Sequence, residues 1–203
     1  LKVIDYIDYL GHRIKHDRVE LPEKSIRRIK RRISSIIHKH LFLYTRSSTG
    51  VMAADRIGPG FYDWDFVTCL NELRKYIYGG LGETQIRQFL DHNQKLTGIR
   101  GLMGFMPLMT NKRQLADLDG WLLNILMRAQ RERCRVAARH GYELSPLTRE
   151  QILSGSWYIF PTVPQDAQAP SFVRAWRAAR KFYLRYGLVG IEPPAYYSMI
   201  EYQ

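Results

Sequence analysis

The chain has 203 residues, 45% hydrophobic and 25% charged, the composition of a globular protein with a sizeable core rather than a disordered one. Its net charge of +12 favours a polyanionic partner, nucleic acid or an anionic membrane surface. No apolar run approaches a bilayer span and no secretory leader is legible; Cys69 and Cys134 are too few for a zinc ribbon, so a reducing cytoplasm is the expected compartment. The first residue is Leu rather than Met, so more sequence is expected upstream.

Residues 1–20 alternate like a short β-hairpin, with Tyr6, Ile7, Tyr9 and Leu10, then Arg13, Ile14 and Lys15, and a turn near His16–Arg18. Residues 21–41, LPEKSIRRIKRRISSIIHKHL, read as an amphipathic helix. Ile26, Ile29, Ile33, Ile36, Ile37 and Leu41 recur at intervals of three and four. Pro22 suits the first helical position, where no N–H is needed, and Glu23 favours the positive end of the helix dipole. Six of residues 24–32 are cations (Lys24, Arg27, Arg28, Lys30, Arg31, Arg32) with no acid among them. Such a helix docks by its Ile stripe and turns positive charge outward.

A polar, Gly-containing loop is expected over 45–62. Asp63 then caps a helix bearing Phe66, Val67, Leu70, Leu73 and Ile77, which Gly79–Gly80 ends. Thr84 starts the next, with Ile86, Phe89, Leu90 and Leu96 inward. Residues 97–109, TGIRGLMGFMPLM, suit close approach of helices within a core. Asn111 and Gln114 form a capping-box pattern for a long helix over 112–140, with Leu115, Leu118, Leu122, Ile125, Leu126 and Ala129 inward and Gly141 at its end. Arginines crowd its second half, which also suits the negative pole of its dipole. Prolines bar a continuous helix through 154–171. A last helix over 171–186 sets Phe172, Val173, Trp176, Ala179 and Tyr183 against Arg174, Arg177, Arg180, Lys181 and Arg185. The fold class is therefore mainly α, with an N-terminal β-hairpin. The expected division is 1–20, 21–141 and 142–203.

Three segments follow one another in a particular order: Tyr9-Leu10-Gly11-His12-Arg13-Ile14, then Gly98-Ile99-Arg100-Gly101-Leu102-Met103-Gly104-Phe105, then Leu118-Asp119-Gly120-Trp121-Leu122-Leu123-Asn124. Together, over residues 1–140, they resemble the C-terminal part of a bacterial group II intron-like reverse transcriptase. Leu102 stands where an aromatic-rich segment usually has Trp, which is closer to the divergent unassigned and phage-defence groups than to intron maturases. The resemblance implies a palm-end hairpin acting as primer grip, with Tyr9, Gly11 and His12 near the primer, followed by a helical thumb. It also implies a palm and fingers upstream, with paired aspartates holding Mg, and a role in antiviral defence. The partner would be a primer–template duplex or structured RNA, and no membrane. The expected nucleic-acid contacts are Lys24, Arg27, Arg28, Lys30, Arg31, Arg32 and Lys39, and from the last helix Arg174, Arg177, Arg180 and Lys181. The alternative is a non-catalytic, maturase-like RNA-binding scaffold.

The residues themselves argue against catalysis within this chain. A two-metal polymerase site needs clustered aspartates. Asp5 and Asp8 fall on opposite faces of a strand, and capping accounts for Asp63 more simply than chelation with Asp65. His38, His40 and Cys69 have no recognised metal spacing, and no glycine-rich elbow surrounds Ser34 or Ser35.

Overall fold

The structure is a computed structural model and describes residues 5–43, 57–58, 62–158 and 166–192. It is mainly helical behind a small N-terminal antiparallel sheet. In chain order come β1 (Ile7–Tyr9), β2 (His12–Ile14), β3 (Val19–Glu20), α1 (Glu23–His38), β4 (Ile57–Gly58), β5 (Tyr62–Asp63) and α2 (Trp64–Tyr78). There follow α3 (Glu83–His92), β6 (Ile99–Arg100), α4 (Lys112–Arg139), α5 (Arg149–Ser154), α6 (Phe172–Tyr186) and β7 (Ile191–Glu192). A π-helical turn, Lys39–Leu43, extends α1, and a 3-10 turn, Gly101–Phe105, follows β6. The expected loop over 45–62 lies almost wholly outside the described residues.

Contacts divide the chain into two compact units: Leu1–Arg31, Arg74–Asp119 and Ser171–Gln203 in the first, Arg32–Leu73 and Gly120–Pro170 in the second. Neither coincides with the sequential division 1–20, 21–141 and 142–203, and the residues of α1, α2 and α4 are shared between them.

In the first unit the expected single hairpin is a three-stranded meander, β1-β2-β3. The extra turn is Leu10–Gly11, where φ is +46° and +82°. Positive φ at both central residues is what a tight two-residue hairpin turn demands, and glycine meets it without strain. Ile7 faces Ile14 and Tyr9 faces His12, while Asp8 faces Arg13 and Arg13 faces Glu20. Strand alternation therefore sorts the apolar side chains onto one face and the charges onto the other. The core of this unit includes Ile29, Ile77, Tyr78, Ile86, Phe89, Met103, Phe172 and Phe182. Gly79 and Gly101, both at φ +65°, lie so close that a Cβ on Gly101 would stand 2.7 Å from the Gly79 nitrogen. The apolar Gly/Met segment thus brings backbone against backbone through a turn, not helix against helix.

Three local expectations shift. Helix α3 begins at Glu83, with Gly82 rather than Ser or Thr at its N-cap, and Thr84 is exposed. Asn111 caps α4, its side-chain oxygen accepting the Gln114 N–H at 3.2 Å, but the Gln114 side chain turns to Leu21 instead of completing the box. The buried face of α6 is Phe172, Ala175, Ala178, Ala179 and Phe182; Trp176 and Tyr183 sit at its half-buried margin.

In the second unit Ile33, Ile36, Ile37 and Leu41 are buried, as are Phe66, Val67, Leu70 and Leu73 of α2 and Leu122, Leu126 and Ala129 of α4. Asp63 caps α2 as expected, accepting the N–H groups of Asp65 and Phe66 at 3.1 and 3.2 Å. Helix α5 has no counterpart in the sequence reading. It is held by a reciprocal Thr148–Gln151 capping box and closed by Gly155 at φ +75°. Cys69 and Cys134 are free, buried thiols, and burial pushes both above the usual thiol range.

Candidate nucleic-acid interface

The basic helix is anchored before it is charged. Pro22 is buried, and its carbonyl accepts the N–H groups of Ser25 and Ile26 at 2.9 and 3.1 Å, starting the helical ladder. Within the first unit Ile29 is buried, which fixes the rotation of this part of α1. Lys24, Arg27, Arg28 and Arg31 stand at i, i+3, i+4 and i+7, so they share the opposite face over about 10 Å of helix axis. Lys24, Arg27 and Arg31 are exposed and Arg28 half-buried; among the described residues none of the four has an acidic partner. Lys30 is half-buried on the flank. Arg32 and Lys39, both exposed, belong to the second unit.

The three hairpin residues divide. Tyr9 is 62% exposed and Gly11 forms the open turn. His12 turns inward, its Nε2 donating to the Phe105 carbonyl at 2.6 Å, and so ties β2 to the 3-10 turn. Ile7, Tyr9 and Ile14, which share one face of the sheet, are all exposed.

On α6 two of the expected contacts have internal partners. Arg174 pairs with Glu83, a carboxylate wholly removed from solvent that also accepts the Tyr78 hydroxyl at 3.0 Å. The Lys181 ammonium donates to the carbonyls of Phe89 and Leu90 at 2.8 and 2.7 Å, satisfying the end of α3. Both cations are held by internal acceptors, which leaves Arg177, Arg180 and Arg185 as the exposed cations of this helix. The start of α6 depends on a residue that sequence reasoning placed only within a motif. Asp119 accepts the Phe172 N–H on one oxygen, and the Ser171 hydroxyl and Val173 N–H on the other. Burial pushes its carboxyl above the usual range even though these hydrogen bonds oppose the shift. The legible signal was an acid, Asp119, next to Leu118 of the apolar helix stripe.

Asp63 and Asp65 are likewise engaged. Arg133, buried on α4, bonds both carboxylates, Asp65 at 2.6 Å, and donates to the Leu41 carbonyl at 2.9 Å. These aspartates are the counter-ions of an arginine, not a metal pair. Among the described residues no group of three or more His, Cys, Asp or Glu side chains comes together to hold a cation. With both carboxylates taken up by Arg133, the residues here do not fit a divalent cation. Nor, among the described residues, is any helix long and apolar enough to cross a membrane.

Fold and surface define a mainly helical protein with an N-terminal three-stranded sheet and a face of α1 whose cations Lys24, Arg27, Arg28 and Arg31 have no acidic partner among the described residues. Against family models, curated proteins and solved structures, the chain matches nothing.

Proposed function

We propose that this chain is the nucleic-acid-gripping thumb and C-terminal region of an RNA-directed DNA polymerase, acting with a palm that carries the metal-binding aspartates. The observation that carries the reading is the face of α1 formed by Lys24, Arg27, Arg28 and Arg31. These cations have no acidic partner among the described residues and stand opposite buried Ile29. Point charges spaced along one helix face suit phosphates, and with no aromatic or amide side chain among them they have little means of reading bases. A grip that must slide as a primer grows needs that indifference to sequence. The exposed apolar face of the hairpin, Ile7, Tyr9 and Ile14, suits burial against a palm.

Fluorescence anisotropy with two unrelated 20-base-pair duplexes, titrated from low to moderate salt, tests this. Each neutralised phosphate contributes about −0.9 to the slope of log affinity against log salt on DNA. R27Q/R28Q/R31Q should flatten that slope by roughly 2–3 and weaken both duplexes alike. Binding indifferent to salt, or to these three substitutions, would sink the proposal.

A further inference from the structure

The outward face of α6 differs in kind from that of α1. The helix carries five cations and no Asp or Glu. With Arg174 and Lys181 turned inward, Arg177, Arg180 and Arg185 remain outside, the first two interleaved with Trp176, Tyr183 and Leu184. Arg177 and Arg180 precede Leu184 by seven and four residues, so all three lie along one strip. Leu184 is 74% exposed at the C-terminal end of that strip. The Trp176 ring is held in place, its indole N–H donating to the Met109 carbonyl at 2.9 Å, and the Arg180 guanidinium lies 5.7 Å from its centroid.

A face whose charges were merely solvated would have no use for a large exposed leucine beside a fixed indole with a guanidinium over its ring. A duplex would not use them either, because its bases are sealed in the stack and only phosphates meet such a surface. A single strand offers both phosphates for the arginines and free base faces for the apolar and planar groups, the combination by which single strands are held. We infer that α6 carries a second nucleic-acid site, distinct in ligand from α1, that takes a single strand through Arg177, Arg180, Trp176 and Leu184. This site stands on its own residues and does not require the α1 reading to hold.

The test uses the 203-residue chain with an unstructured 12-nucleotide single-stranded DNA, the RNA of the same sequence, and a duplex of that sequence. R177Q/R180Q should weaken single-strand binding at least tenfold and duplex binding less than twofold. L184A, which changes no charge, should weaken single strands several-fold with an unchanged salt slope and leave the duplex unaffected. Both variants alter exposed side chains, so thermal melts should match the parent. A loss confined to the DNA or to the RNA supports the site and identifies its strand. Equal losses for single strand and duplex, or an L184A protein with parental single-strand affinity, overturn it. Failure of the α1 proposal reads out separately, as duplex binding that survives R27Q/R28Q/R31Q.

Discussion

Gln114 holds Leu21 by both of its backbone polar groups: the side-chain oxygen accepts the Leu21 N–H at 2.8 Å and the amide donates to the Leu21 carbonyl at 2.9 Å. Alongside, Val19 exchanges hydrogen bonds with Thr110, and Asn111 donates to Glu20 at 2.8 Å. The chain leaving β3 is thus clasped by the start of α4 immediately before the basic helix begins. Pro22, next in line, has no N–H to contribute, so this clasp sets where α1 starts.

Replacing Gln114 with Ala strands the two polar groups of Leu21, which is 6% exposed. Leaving such groups unsatisfied costs about 1–3 kcal/mol. Urea unfolding should show that loss, and duplex affinity should fall as α1 loses its fixed start. A midpoint unchanged from the parent would mean water replaces the amide at no cost.

Arg133 sits 1% exposed between two carboxylates. Arg133→Met should destabilise by about 3–5 kcal/mol, because it leaves Asp63 and Asp65 as uncompensated buried charges. Neutralising them as well, in D63N/D65N/R133M, should recover a good part of the loss. Thermal melts of both proteins settle the matter. A triple variant no more stable than R133M would show that the arginine acts by packing and not by charge.

Asp119 caps α6 from 52 residues away, taking the Ser171 hydroxyl at 2.7 Å and the Val173 N–H at 3.2 Å. Asp119→Ala should cost about 1–3 kcal/mol by orphaning the first N–H groups of the helix. Asp119→Asn keeps one acceptor and should cost less. Hydrogen exchange should accelerate selectively over the first turn of α6, a local signature that a general loss of stability would not reproduce.

Glu20 provides a pH-dependent contribution whose sign follows from its surroundings. The Lys15 ammonium, bonded at 2.8 Å, holds the carboxyl below the usual glutamate range; burial opposes this and the Asn111 hydrogen bond adds to it. The folded state therefore binds this proton less readily than the unfolded chain. The stability it contributes is fully present above the ordinary glutamate value and is lost as pH falls through the lowered one. Measured between neutral and acid pH, the difference between parent and E20Q should shrink as acid is added. A constant difference would show that Glu20 acts without its charge.

The amino-acid sequence by itself determined the helices and their faces wherever a 3.6-residue period ran for several turns. The Ile stripe of α1, the long stripe of α4, the Asp63 cap and the glycines that end α2, α4 and α6 are local features, and local backbone chemistry dictates them. Helix α5 escaped because six residues give no period to detect. The tertiary structure alone decided which cations face solvent. Arg133, Arg174 and Lys181 look in sequence like Arg128, Arg177 and Arg180, yet the first three meet carboxylates or carbonyls some 70 to 92 positions away. A long cationic side chain goes wherever the fold leaves an unsatisfied acceptor within reach, and no spacing along the chain encodes that.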